Sequence, residues 1–400
     1  MKVTIEKLDH FGRGICYVDG KICFVPDTLP GEVVNIKVVL DKKKFCIAEV
    51  KDFYDISSDR INRVCPYCDK CGGCDLSHLN YNKENEYKCL KVKEILSKYG
   101  DVSPSKVLDC VYGDEYNYRN KVTLHGLRNM IGYYKKNSND IVPIKKCLLL
   151  DDKINSIINC INGMDYHNNY DTVVIKCSND SEEVMVSING EVNDYEKLFE
   201  YCDSLIINSE IVKGEERIVS FIGNYKYEIS DKGFFQVNKK LTKELYDEIR
   251  NIVSLVKPET VLDLYCGAGT IGIYISDLVK KIIGVEVNET SVINANRNKK
   301  LNGVDNIEFI NDKVENVISD ITMGVDLVIV DPPRSGLDSK SCDVILNMDV
   351  SDIIYVSCDP VTLARDIKIL KEKYEVEYVK VFNMFARTYH VESVCHLKRK

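Results

Sequence analysis

The sequence predicts a multidomain α/β chain: an N-terminal OB-like β-barrel, a central α+β domain and a C-terminal doubly wound, Rossmann-like domain. Three observations carry this reading. Short β-branched runs separated by turn signals crowd into residues 1–54. Strand-like runs alternate with polar loops through 107–230. From residue 236 onward, strand-like runs alternate with helical ones, the pattern of a parallel sheet with helices on both faces.

In the first region, Val3–Leu8, Gly14–Val18, Lys21–Val25, Glu32–Leu40 and Phe45–Phe53 approach period two. Val18-Asp-Gly-Lys21 and Leu29-Pro-Gly-Glu32 are turn signals between them. Five strands this short suit a small closed barrel. Lys37, Lys42, Lys43 and Lys44 gather there, either as a solvated hairpin tip or as a nucleic-acid contact. The formal net charge of -8 by itself favours a small-molecule enzyme over an RNA-binding protein, although a local basic face suffices to bind phosphate. No run approaches the roughly 20 apolar residues of a membrane span. The N-terminal MKVTIEKLDHFGRG lacks the apolar core of a signal peptide. The expectation is a cytoplasmic, monomeric protein with no membrane contact.

Of the 17 cysteines, most stand singly in apolar runs (Cys23, Cys160, Cys177, Cys202) and read as small buried hydrophobes. Cys65-Pro-Tyr-Cys68-Asp-Lys-Cys71-Gly-Gly-Cys74 is different. Four thiols at every third position point to metal. The spacing leaves tetrahedral zinc and an iron–sulfur cluster both open. Beyond it, Asn82–Tyr99 has helical spacing, and the helix is expected to pack on the C-terminal domain.

In the C-terminal region the expected strands are Thr260–Leu264, Ile282–Val287, Ile307–Ile310, Leu327–Val330 and Ile353–Val356. The expected helices are Ile271–Lys280, Ser291–Leu301, Ser339–Leu346 and Thr362–Glu372. Ligands of such a sheet sit beyond the carboxyl ends of its strands. There lies Asp263-Leu-Tyr-Cys-Gly-Ala-Gly-Thr-Ile-Gly272, whose Gly267 and Gly269 permit close approach to a ligand. Asp263 is expected to face that ligand, and Glu286 ends the next strand, where it can take a ribose hydroxyl pair. The glycine spacing alone fits NAD equally well. The Asp-Leu-x-Cys-Gly-x-Gly string, however, resembles motif I of class I methyltransferases, which bind S-adenosylmethionine.

Asp331-Pro-Pro-Arg-Ser-Gly336 and Ser357-Cys358-Asp-Pro360 follow two further strands and open onto the same crevice. Amine-methylating Asp-Pro-Pro loops carry an aromatic residue where Arg334 stands, so amine chemistry is disfavoured. A cysteine offers another route. A thiolate adding to carbon 6 of uracil makes carbon 5 nucleophilic toward a sulfonium methyl. A base must then take the carbon 5 proton. Glu392, in an otherwise apolar strand pattern, is that base or else a surface carboxylate.

These strings, with Lys232-Gly-Phe-Phe-Gln236-Val-Asn238 and His390-Val-Glu392-Ser-Val, resemble the bacterial RNA uracil-5-methyltransferases of the RumA type over nearly the whole chain. The resemblance implies that Gln236, Tyr265, Glu286 and Asp331 contact S-adenosylmethionine, that Cys358 is the nucleophile and that Glu392 is the base. It implies a TRAM RNA-binding barrel. It also implies a [4Fe-4S] cluster on Cys65, Cys71, Cys74 and Cys147, with Cys68 an extra thiol. Tyr118-Arg-Asn-Lys121 resembles a segment that holds RNA. Arg119 there either meets a displaced base or makes a strand-edge salt bridge. The expected domains are 1–56 (TRAM), 57–235 (cluster and RNA binding) and 236–400 (methyltransferase), and the expected substrate is 23S ribosomal RNA. The rivals are the same chemistry on transfer RNA, a catalytically silent RNA-binding protein and an iron–sulfur electron carrier.

Overall fold

Residues 2–55 form β1 (Lys2–Thr4), β2 (Lys7–Leu8), β3 (Gly14–Val18), β4 (Lys21–Val25), β5 (Val33–Asp41) and β6 (Phe45–Asp55). Their spatial order is β1-β5-β6-β4-β3-β2. The run expected as one strand over 3–8 is therefore two. The Ile5 amide donates to the Glu32 carbonyl at 2.9 Å, and the Glu6 amide to the Ile15 carbonyl at 2.8 Å. One segment thus supplies both ends of the ladder, which closes the barrel and leaves no free edge. Cys16, Cys23, Val34, Ile36 and Cys46 fill its core. The structure, a computed structural model, describes residues 1–179, 182–233, 235–321, 324–348 and 350–400. Among these, no helix is long and apolar enough to cross a membrane.

After the cysteine segment come α1 (Tyr81–Gly100) and β7 (Val107–Val111). The Asn80 side chain caps α1 by accepting from the Asn82 amide at 3.0 Å. Val92, Ile95 and Leu96 of α1 join the core of the C-terminal sheet.

The central sheet contains β8 (Lys121–Leu127), β9 (Met130–Tyr134), β10 (Ile141–Pro143), β11 (Asn169–Cys177), β12 (Val184–Glu191), β13 (Ser204–Ile207) and β14 (Glu210–Lys213). Their order is β10-β9-β8-β11-β12-β13-β14. Against it packs α2 (Asp152–Asn162), through Ile154, Ile157, Ile158 and Ile161. A hairpin follows, β15 (Arg217–Ile222) and β16 (Tyr225–Ser230).

The C-terminal region opens with α3 (Lys239–Val256), capped by Asn238, whose side chain accepts from the Leu241 amide at 3.1 Å. Then come β17 (Thr260–Leu264), α4 (Thr270–Ile275), β18 (Lys281–Glu286), α5 (Glu289–Leu301), β19 (Ile307–Asn311) and α6 (Val314–Ile321). The chain ends with β20 (Leu327–Val330), α7 (Ser339–Asn347), β21 (Asp352–Ser357), α8 (Pro360–Leu370), β22 (Tyr374–Phe382) and β23 (Glu392–Arg399). The sheet order is β19-β18-β17-β20-β21-β23-β22-β7, parallel except for β23. Its last strand, β7, comes from far upstream in the chain. Alternate residues face opposite layers. Leu262, Leu264, Val328 and Val330 join α1, α7 and α8, while Val261, Leu327 and Ile329 join α3, α4 and the β15–β16 hairpin. Between β17 and β20 the order of connection reverses, so a crevice opens at their carboxyl ends.

Candidate active site

A cavity of about 870 Å³ occupies that crevice. Gln236, Tyr265, Glu286, Asp331, Cys358, Glu392 and Arg119 all line it. Residues expected from six separate strings therefore meet in one place. Phe234, in the Lys232–Asn238 string, lies outside the described residues.

Each side chain is placed by a local device. Gly267 has φ +55°, and a Cβ there would meet nothing within 4 Å, so its backbone faces open cavity. Glu286, at the end of β18, receives the Gly267 amide at 3.1 Å and the Asn288 amide at 2.7 Å. The Tyr265 hydroxyl lies 3.1 Å from Ser341 Oγ. The Asp-Pro-Pro loop is gripped from α8. Asp366 accepts from the Leu337 amide at 2.8 Å, and Arg365 donates to the Ser335 and Leu337 carbonyls. Cys358 stands between β21 and α8, whose N-terminus is capped by Asp359. The central sheet closes the far side. The Asn120 amide donates to the Val237 carbonyl at 3.0 Å and its side chain to the Gln236 carbonyl at 3.2 Å.

One expectation fails. Asp263 does not face the cavity. It is fully buried beneath the glycine loop, with Oδ2 on the side of Gly272. A strand-end aspartate can point into the crevice or under the turn, and sequence does not distinguish these. Conversely, Lys121, Tyr133, Arg334 and His390 line the cavity without having been singled out as site residues. Three of them stand in or beside strings already noted. Tyr133 carries no signal in sequence, because only the curl of the central sheet brings it there.

The comparisons with known proteins agree with this geometry. Residues 203–400 match the family model described as tRNA (Uracil-5-)-methyltransferase, and residues 1–51 match the TRAM domain. An RNA methyltransferase of Halalkalibacterium halodurans is 33% identical, the match covering 100% of this chain and 97% of that protein. One of Clostridium acetobutylicum is 34% identical, over 100% of this chain and 96% of its own. The chain belongs to the RNA uracil-5-methyltransferase family. Among solved structures, the tRNA (uracil-54, C5)-methyltransferase of Pyrococcus abyssi in complex with S-adenosyl-L-homocysteine is 27% identical. That match has a TM-score of 0.81 and covers 99% of this chain and 100% of the other.

A uracil-5-methyltransferase needs a site that receives a sulfonium cation, and the electrostatics here fit one. Burial pushes the Asp331 carboxyl up to about 7. Burial, then the charge of Asp331, pushes Asp263 up to about 8 and holds Glu392 well above the carboxylate range. The Cys358 thiol is raised to about 11, by burial first and then by Glu392, with Arg334 opposing. Each acid is held back by burial, and all but Asp331 also by a neighbouring acid, so a bound cation relieves them. His390 goes the other way. Burial and the Arg334 charge lower it to about 4, which leaves its ring neutral at pH 7.

The cysteine segment lies apart from the cavity. Cys65, Cys71, Cys74 and Cys147 form one group in which every pair interacts electrostatically. Cys68 differs. Its leading charged neighbours are Asp69 and Arg63, and its Sγ lies 3.8 Å from Asp69 Oδ1. Among the described residues, no three His, Cys, Asp or Glu side chains converge closely enough for a single metal ion.

Proposed function

We propose that the protein methylates carbon 5 of a uridine in 23S ribosomal RNA through a covalent adduct on Cys358. The observation that carries this reading is the meeting of Cys358, Glu392 and Asp331 in one cavity with the glycine loop. Bound S-adenosylmethionine supplies a methyl group on a sulfonium. Gln236, Tyr265, Glu286 and Asp331 are the residues that would hold it, with Glu286 placed to take the ribose hydroxyl pair.

The target base leaves its stack to enter the cavity, which costs least in an unpaired loop. Cys358 adds to carbon 6 as thiolate, and the electron pair of the 5,6 double bond moves toward the carbonyl at carbon 4, making carbon 5 nucleophilic. Arg334 favours the thiolate. Carbon 5 then takes the methyl group. Glu392 accepts the carbon 5 proton, the double bond re-forms and the Cys358 thiolate is expelled. Arg119 and Lys121 line the base-entry side.

In this reading residues 1–56, 57–235 and 236–400 are three working parts in the cytoplasm. The middle one holds a [4Fe-4S] cluster on Cys65, Cys71, Cys74 and Cys147. The reaction is polar and needs no electron carrier, so the cluster's part is structural or to position RNA.

A second substrate reading is transfer RNA. The Pyrococcus abyssi likeness favours it, and that likeness spans the barrel and the cysteine segment as well as the catalytic sheet. Mapping 5-methyluridine in both RNAs from cells lacking the gene separates the two. Loss from 23S ribosomal RNA is expected. Loss from transfer RNA alone contradicts the first reading and establishes the second.

A further inference from the structure

An aromatic and basic track leaves the cavity and crosses onto the barrel. His390 lines the cavity mouth. The Tyr389 ring lies against it with centroids 4.1 Å apart. Phe11, in the β2–β3 turn of the barrel, meets Tyr389 edge-on at 5.3 Å. The Arg13 guanidinium then lies 5.2 Å from the Phe11 ring and 4.2 Å from that of Phe24. Beyond Phe24 lies Phe45, at 5.9 Å, next to the exposed turn Lys42–Lys44.

Three features make this more than domain packing. Phe11 is 47% exposed although it sits at the junction of the barrel and the catalytic loop. Its turn is preset, because the buried Asp9 carboxylate accepts from the Phe11 and Arg13 amides at 2.9 and 2.8 Å and from the Arg13 side chain. Arg13 is thereby fixed near two rings. The track also ends on lysines, the charge a polyanion requires, and it is continuous with the catalytic cavity. Rings that accept any base face, interleaved with cations, are how single strands are held without sequence preference.

We propose that this track seats an unpaired RNA segment adjoining the target uridine, with bases on Tyr389 and Phe11 and phosphates toward Lys42–Lys44. The proposal rests on the reading that the target is a uridine in RNA. It adds a requirement on the substrate: the strand is single on one side of the target.

The test is binding of a fluorescein-labelled oligouridylate of about 12 nucleotides, followed by anisotropy, with a duplex RNA of equal length as comparator. Phe11→Ala and Tyr389→Ala each weaken oligouridylate binding about 10-fold, while Phe11→Tyr and Tyr389→Phe retain it. Replacing Lys42, Lys43 and Lys44 by Gln lowers the slope of log affinity against log salt by about 2. This last variant carries the test alone if either alanine variant melts early. Normally folded alanine variants with wild-type affinity, an equal loss on duplex RNA, or an unchanged salt slope would each overturn the proposal. Wild-type protein that methylates its RNA yet ignores oligouridylate sinks the track and leaves the methyltransferase reading intact.

Discussion

Cys358 rests as a neutral thiol. With the thiol raised to about 11 and Glu392 contributing to that rise, thiolate is scarce at neutral pH until positive charge enters the cavity. In the proposed mechanism, cofactor binding and nucleophile activation are therefore coupled by charge. The same physics bears on stability through Asp263. Its folded pKa is raised from 3.8 to about 8, so its contribution is fully present below pH 4 and is lost as the pH rises through 8. Asp263→Asn stays neutral throughout. Without cofactor, the melting temperature of this variant relative to wild type is expected to climb between pH 5 and 8. A difference that stays level over this range contradicts the assignment. Among the cysteines, Cys68 is influenced first by Asp69 and Arg63 and then by Cys65, whereas Cys147 acts on Cys65, Cys71 and Cys74. Protein purified without oxygen is expected to keep its visible iron–sulfur absorbance in Cys68→Ala and lose it in Cys147→Ala. The reverse pattern removes Cys147 from the ligand set.

One loop joins all the elements of the site. Residues 383–391 lead from β22 to Glu392 and are held from upstream segments. Glu84 and Lys88 of α1, both fully buried, form an ion pair at 3.0 Å. Lys88 also donates to Asn383 Oδ1 at 2.6 Å and to the Phe385 carbonyl at 2.9 Å. Arg387 is almost wholly buried between Glu84, Glu115 and the Leu76 and Leu79 carbonyls. Its own carbonyl accepts the Asp75 and Leu76 amides, tying the cysteine segment to the catalytic loop. Arg387→Met removes the arginine from Glu115 and leaves the buried Glu84 with Lys88 alone, and is expected to cost roughly 3–5 kcal/mol in chemical denaturation. A loss below about 1 kcal/mol, the range of a surface pair, shows that the network does not brace the loop.

Apart from the Glu84–Lys88 pair, four residues apart on α1, this network is not visible in the sequence, since its remaining links join positions some 300 apart. The strands ending in site loops were legible because fully buried parallel strands are apolar runs bounded by glycine and proline. Three helices, α2, α3 and α6, were not. α3 offers Leu241, Leu245, Ile249 and Ile252 behind an asparagine cap, but it lies between two strand regions. α2 hides its isoleucine face among asparagines. β7 is a strand by composition, but only tertiary packing sends it to the edge of the catalytic sheet.

Across the whole molecule, the sheet places the glycine loop and Glu286 on one side of the switch point and Asp331, Cys358 and Glu392 on the other. Glu392 enters from β23, the one strand that runs against the rest. The central sheet covers the cavity with Arg119, Lys121 and Tyr133. The barrel reaches the same mouth through Phe11. The net charge of -8 is compatible with an RNA substrate because the basic groups are placed locally, at the cavity and at the barrel tip. The central claim is that these parts converge on one covalent step at Cys358. RNA carrying 5-fluorouridine tests it, since fluorine on carbon 5 cannot leave as a proton does and the adduct is trapped. With S-adenosylmethionine present, wild-type protein is expected to give a denaturation-resistant protein–RNA band, and Cys358→Ala none. An undiminished adduct in Cys358→Ala would contradict the account.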